Sequence, residues 1–400
     1  MTVTIDAPRA KDAALRYVED FRDEELARTL ADAIAREVDS DREYAIMEFC
    51  GGHTHAIFRH GVQDLVPQNV RYVHGPGCPV CVLPVPRLDE AIELAEEHGV
   101  ILCTYADMMR VPASRRNSLM KARANGADVR MVYSALDALK VARENPDREV
   151  VFFAIGFETT TPPTAVALLQ AQAEGLRNFS IHCNHVLTPA AIHHLLGDPA
   201  DADDREKVRI DGILGPSHVS TVIGYAPYEE PARKYRKPIV IAGFEPLDVM
   251  QSTLMLVRQI NAGEYRVQNQ YVRAVTREGN RKAQALVEKV FRVRDAFEWR
   301  GLGRVPESAL EIRPEYADFD AERRFALRRS NGRDVKGCEC PAILRGVKKP
   351  TDCRLFGTVC TPENPMGSCM VSSEGSCAAY WTYGRFRDRP AAGAGGEARP

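Results

Sequence analysis

Hydrophobic residues along this chain gather in short, nearly unbroken runs at 44–49, 70–73, 100–104, 129–133, 150–155, 179–183, 210–214 and 238–242. Runs of this length without polar alternation fit strands covered on both faces. Between them, apolar positions recur every three or four residues over 87–98, 114–125, 134–144, 163–174, 188–196 and 247–261, which predicts helices. Strands alternating with helices imply parallel sheets with helices packed on both sides, the α/β class. A length of 400 residues suits two similar α/β lobes better than one large sheet. Their bounds are drawn at 41–140 and 141–265, with the strand-end loops of both facing a cleft. Upstream, Leu15, Val18, Phe21, Leu26, Leu30, Ile34 and Val38 keep helical spacing. They predict one or two helices within 1–40 that pack on the first lobe.

Gly156-Phe157-Glu158 and Gly243-Phe244-Glu245 each end an apolar run and precede a helical pattern, as a duplication or a shared strand-end solution would. Beyond residue 265 the periodicity weakens. Residues 267–275 read as a strand and 280–297 as a charged helix, whereas 332–384 is loop-rich, with frequent Gly, Pro and Cys. So little apolar content cannot support a core unaided, and a bound metal cluster would replace it. A third, small domain is drawn at 266–385, and the Ala/Gly/Pro-rich tail 386–400 is expected to be disordered.

The bulk composition narrows the classes. A hydrophobic fraction of 44% supports sizeable cores, and a formal net charge of −2 argues against nucleic-acid binding through overall charge. No stretch approaches the roughly 20 apolar residues of a membrane helix, and the charged N-terminal region has no apolar segment of a secretory leader. A cytoplasmic protein with no membrane partner is expected. In that compartment the eleven cysteines do not suggest a disulfide framework. Metal, iron–sulfur or thiol redox chemistry explains them better. Cys103 and Cys183 stand alone in apolar runs and read as small buried hydrophobes.

Two strand ends concentrate the chemistry. Gly75-Pro76-Gly77-Cys78-Pro79-Val80-Cys81 follows the run at 70–73, and Cys50-Gly51-Gly52-His53-Thr54-His55 follows the run at 44–49. Loops after strands are where α/β proteins keep their reactive groups. Thiols at i and i+3, such as Cys78 and Cys81, can close a redox disulfide or turn toward one metal, and a following helix would favour thiolate. Half of a structural zinc site is the alternative. Cys50 and His53 could share a metal, or the imidazole could activate the thiol; capping of a turn is the other reading of the histidines. The stretch 156–163 has helix-start chemistry able to hold an anion or simply to cap, and 215–220 and Asn184-His185 are polar strand-end loops. No phosphate-binding glycine motif occurs. Cys338, Cys340, Cys353, Cys360, Cys369 and Cys377 follow at spacings of 2, 13, 7, 9 and 8. Four thiolates would hold a [4Fe–4S] cluster and leave two over, with zinc the alternative.

Together, Met47-Glu48-Phe49-Cys50-Gly51-Gly52-His53-Thr54-His55, the stretches 75–82, 156–164 and 215–220, and Cys369-Met370-Val371-Ser372-Ser373-Glu374-Gly375-Ser376-Cys377 resemble the HypD family of hydrogenase maturation proteins. The likeness runs from about residue 40 to 384. It implies two α/β lobes plus a small iron–sulfur domain, and a role in assembling the Fe(CN)2CO unit of [NiFe]-hydrogenase. It also implies a HypC-type small chaperone and a HypE-type cyanide donor as partners. By position, Cys50 would face the iron, with Cys78 and Cys81 as the redox pair beside it. The domain is similar to ferredoxin:thioredoxin reductase, which by order of the cysteines puts Cys338, Cys353, Cys360 and Cys369 on the cluster. Cys340 and Cys377 then form the adjacent dithiol or serve as alternative ligands. His53 and Glu374 are expected as proton or hydrogen-bond partners. Two other classes are a cluster-dependent disulfide reductase and a non-catalytic zinc scaffold.

Overall fold

The computed structural model describes residues 22–197, 208–328 and 330–384. Two parallel sheets carry the fold. One is ordered β2 (Val70–His74), β1 (Tyr44–Glu48), β7 (Gly212–Gly215), β8 (Ile239–Ile241) and β9 (Val267–Asn269). The other is ordered β4 (Val129–Met131), β3 (Ile101–Thr104), β5 (Val150–Gly156) and β6 (Phe179–His185). Every residue of β1, β5 and β6 is buried, as unbroken apolar runs require when helices cover both faces. Burying each large side chain of these runs contributes on the order of 1.5–3 kcal/mol.

The two lobes are not consecutive in the chain, and this corrects the expected boundary. A division at 140/141 would cut the second sheet, where β3 pairs with both β4 and β5. The first sheet takes its strands from both sides of that insertion. Met47 of β1 aligns with Val73 of β2 on one flank and with Ile213 of β7 on the other. Hydrophobic pattern dictates that a segment is a strand and which faces it buries, but not its partner strand.

Helices fill the crossovers near the expected positions, including Val85–Glu96, Ala135–Glu144, Thr161–Ala173, Thr188–Leu196 and Pro246–Ala262. The helix expected over 114–125 begins only at Leu119, because the Ser118 side chain caps it by accepting the Lys121 N–H at 3.2 Å. At the N-terminus, Asp23 caps a helix Glu24–Glu37 that packs on Pro246–Ala262, where Asn261 donates to the Glu37 carbonyl at 2.6 Å. The earlier part of the expected N-terminal helices and the tail 386–400 lie outside the described residues. Cys103 and Cys183 are buried in the core of the second sheet, as lone apolar cysteines should be.

Residues 280–297 do not form one helix. Asn280 caps Arg281–Val290, after which β10 (Phe291–Val293) and β11 (Ala296–Trp299) pair with β13 (Leu310–Ile312) and β12 (Gly303–Pro306). The apolar period shortens from helical spacing to alternation there: Phe297 and Trp299 are buried and Glu298 is exposed. The strand expected over 267–275 stops at Asn269. From 332 to 384 the chain makes short helices and turns. Cys340, Cys353, Cys360, Cys369 and Cys377 belong to the same hydrophobic cluster as Phe49, Cys78 and Cys81. The cysteine-rich region is therefore packed onto the first sheet.

Candidate functional site

The carboxyl ends of both sheets open onto one cavity of about 470 Å³. The first sheet contributes Phe49 and Cys50 after β1, Gly77 after β2, and Pro216, His218 and Val219 after β7. The second contributes Tyr105 to Met108 after β3, Gly156 and Phe157 at the end of β5, and Thr188 after β6. Ser372, Ser373 and Glu374 of the cysteine-rich region close the remaining side. Strand-end loops of both lobes thus meet as expected, with a third wall from the C-terminal part.

Cys50 is the N-cap residue of the helix Gly51–His60, in extended conformation, and is 7% exposed. Burial, with the Glu374 and Glu48 carboxylates nearby, pushes its thiol up to about 12. A bound soft cation would reverse that penalty by stabilising thiolate. Its backbone N–H donates to Glu48 Oε2 at 3.2 Å. Glu48, buried in β1, also accepts from Thr54 Oγ1 and pairs with His74 Nδ1 at 2.8 Å. Burial raises the Glu48 carboxyl despite these partners. Glu48 and His74 were not singled out from the sequence, although a carboxylate inside an apolar strand is itself a signal of a buried polar network.

Glycines set the spacing around Cys50. A Cβ on Gly77 would stand 2.5 Å from the Cys50 nitrogen and 2.6 Å from the Phe49 carbonyl carbon, so only glycine lets the 75–77 turn lie against the end of β1. Gly51 likewise abuts Glu374. Next to that turn, Cys78 and Cys81 form a disulfide with Cα atoms 5.2 Å apart, and Cys78 caps the short helix Pro79–Val82.

The other side of the disulfide faces the C-terminal cysteines. Ser368 Oγ donates to the Cys81 carbonyl at 3.0 Å, one residue before Cys369. The helix Cys340–Leu344 packs on Pro79–Val82. Cys340 lies within side-chain hydrogen-bonding reach of Cys338, Cys369 and Cys377. The Cys338–Cys340 contact holds Cys338 below the usual thiol value and Cys340 well above it. Cys360 Sγ accepts the Met366 N–H at 3.4 Å, and Cys353 Sγ contacts the Gly337 carbonyl at 3.9 Å. All six thiols gather in one region, and the contacts do not divide them into four ligands and a pair.

Among the described residues, no three His, Cys, Asp or Glu side chains are set to hold a single metal ion. A four-iron cluster takes one thiolate at each iron, so its ligands surround a volume and need not converge on a point. Gly367 lets the backbone lie directly against two of these thiols, because a Cβ there would come 2.5 Å from both the Cys338 and Cys340 sulfurs. The donor set, all sulfur and mostly buried, fits an iron–sulfur group.

Two expected site residues part company. Glu374 lines the cavity, its carboxyl raised by burial and by the charges of Asp107 and Glu48. His53 does not line it. Its ring is fully buried, with Nε2 3.0 Å from Ser217 Oγ and 3.2 Å from the Ala242 carbonyl, and burial lowers its pKa to about 4. Cys50 is the cap rather than a helical residue, so the three-residue spacing does not put His53 on its face. His218 stands in the cavity wall on the 215–220 strand-end loop expected to line the cleft, whereas Asp107 takes a place there that the sequence did not assign.

The HypD family model, described as "Hydrogenase formation hypA family", matches residues 25–384. The chain belongs to the HypD family. A relative from Azotobacter chroococcum mcd 1 named hydrogenase expression/formation protein HupD is 64% identical over 373 residues, covering 93% of this chain and 98% of the relative. Hydrogenase maturation factor HypD of Azotobacter vinelandii is 63% identical with the same coverage. That of Escherichia coli (strain K12) is 45% identical over 374 residues, covering 92% of this chain and 98% of the relative. Membership of the HypD family thus extends over both sheets and the cysteine-rich region. Among the described residues no helix is long and apolar enough to cross a membrane.

Proposed function

We propose that this chain is a hydrogenase maturation factor that holds an iron cargo at Cys50 while ligands of the Fe(CN)2CO unit are assembled on it. The Cys78/Cys81 pair serves as its redox partner. Six C-terminal thiols carry a [4Fe–4S] cluster, with Cys338, Cys353, Cys360 and Cys369 as ligands and Cys340 and Cys377 as the adjacent pair. The observation that supports this reading best is a continuous series of contacts. The Gly77 turn lies against Cys50, the disulfide follows that turn, and Ser368 ties Cys81 to the segment bearing Cys369.

When bound, a [4Fe–4S] cluster supplies single electrons at low potential. The chain's own residues account for the rest. Opening the Cys78–Cys81 disulfide takes up two electrons and two protons and yields two thiols beside the cavity. Cys50 offers a buried sulfur donor at the cavity wall, where a soft iron centre favours thiolate. Glu48 fixes the Cys50 backbone, and Glu374, its carboxyl raised by burial, stands at the cavity wall beside Cys50. The cavity opens to a surface where a HypC-type chaperone and a HypE-type cyanide donor would deliver and finish the cargo.

The test is an infrared spectrum of the full chain, purified without oxygen together with its small chaperone. Cyanide and carbonyl stretching bands are expected in the wild type and absent in Cys50→Ala. Bands that persist in Cys50→Ala would overturn the assignment of the iron to Cys50. A brown protein without bands in any preparation would favour a cluster-dependent disulfide reductase, for which the Cys78–Cys81 disulfide is the motivating feature.

A further inference from the structure

Arg300 is buried in an unusual way. The residue is 4% exposed, yet none of its three guanidinium nitrogens has a hydrogen-bond partner among the described residues. The Asp334 carboxylate approaches Nε at 3.3 Å, out of hydrogen-bonding alignment, and is itself part-exposed. A guanidinium carries five N–H donors and keeps its charge at any physiological pH. Burying it with one poorly aligned counter-charge is costly unless a further anion completes the shell.

The position of Arg300 indicates what that anion is. Its backbone N–H donates to the Val82 carbonyl at 2.7 Å, one residue beyond Cys81. The next residue, Gly301, lies against the helix bearing Cys340: a Cβ there would be 2.8 Å from the Pro341 oxygen and 3.3 Å from Leu344 Cβ. The arginine is thus pinned between the Cys78–Cys81 turn and the C-terminal cysteines. Its positive charge also favours thiolate at Cys338 and Cys369, as a lesser influence after the Cys340 contact and burial. We propose that Arg300 is the buried counter-cation of the cysteine-held cluster, raising its reduction potential by stabilising the added negative charge of the reduced form. This rests on the iron–sulfur reading above and assigns to it a residue outside the cysteine motif.

Reduction adds one electron without making or breaking a bond, so the effect is electrostatic and has a definite sign. Asp334 opposes Arg300, and its removal must act in the opposite direction. A merely structural arginine would not produce opposite shifts from the two partners of one ion pair.

The experiment uses the full chain reconstituted with iron and sulfide without oxygen, with both contents measured. Dithionite titration followed by electron paramagnetic resonance then gives the cluster potential, and circular dichroism checks the fold. In Arg300→Gln the one-electron equilibrium constant should fall on the order of tenfold, a potential lower by about 59 mV. Arg300→Lys, which keeps the charge, should shift less than half as far, and Asp334→Asn should shift upward. A fully loaded Arg300→Gln with the wild-type potential overturns the proposal, the result expected if the arginine merely meets a solvent anion in the hollow that it lines with Glu298, Ser330 and Asp334. If Arg300→Gln does not fold, Asp334→Asn decides: a potential at or below wild type overturns it equally. A wild type that takes up no iron and sulfide removes the cluster reading itself, and the proposal falls with it.

Discussion

Glu158 carries a titration that can be read in stability. Its carboxylate accepts from the Thr188 N–H at 2.8 Å and from Thr188 Oγ1 at 2.9 Å, yet burial outweighs both and raises its pKa to about 7. The folded chain therefore binds this proton more tightly than the unfolded chain does. The resulting stability is present in full below the ordinary carboxylate range and is lost as pH rises toward 7. Glu158→Gln keeps an acceptor for Thr188 and removes the titration. It should match the wild type within about 1 kcal/mol at pH 4 and exceed it by up to about 3 kcal/mol at pH 8, measured as urea midpoints. Reactive residues were legible at this scale because thiols after strands announce themselves: Cys50, Cys78 and Cys81 lie together at one sheet end. Glu48, His74 and Arg300 were not, because each takes its meaning from residues distant in the chain. His53 shows the converse, since spacing from Cys50 suggested a shared face that the cap geometry does not provide.

Elements that hold the second sheet to the segment after it depend on a buried charge network. Arg87 on the helix Val85–Glu96 pairs with Glu90 at 2.7 Å and with Glu322 at 2.8 Å, and donates to Asn184 of β6. Arg294 also pairs with Glu322, and buried His182 of β6 is 2.9 Å from Glu90. Two arginines beside it hold the Glu322 carboxyl well below the usual range against the opposing cost of burial. Glu322→Gln leaves both cations short of a counter-charge and should cost about 3 kcal/mol, seen as a lower denaturant midpoint with an unchanged slope. Helices and strands of the two sheets were legible in the hydrophobic period. The segment 280–297 was not read correctly, because a window long enough to detect a helix averages over the change of period that begins at Phe291. The cysteine-rich stretch has no period at all, and only its sulfur content indicated what holds it.

Across the whole molecule, the shared hydrophobic cluster joins the cysteine-rich region to both sheets. Unfolding should therefore be one cooperative event rather than three. The two tryptophans allow a direct check, since Trp299 lies in the hairpin beside the Cys78–Cys81 turn and Trp381 in the helical turn Tyr380–Gly384. Single-tryptophan variants should report the same denaturant midpoint as circular dichroism, and separated midpoints would show independent domains. The α/β class and the facing strand ends followed from the alternation of apolar runs with helical spacing. The interleaving of the sheets did not, because no local pattern says that β1 waits for β7.

That delay shapes how the protein is born. β1 emerges from a ribosome early, but its partner β7 is some 165 residues behind it, so one edge of β1 stays open while the entire second sheet is made. During that interval Cys50, Cys78 and Cys81 have already been synthesised and are not yet enclosed. The nascent chain must pass through a period of exposed sulfur and an unpaired strand edge, so its yield will be set by the reducing power and chaperone supply of the cell during synthesis.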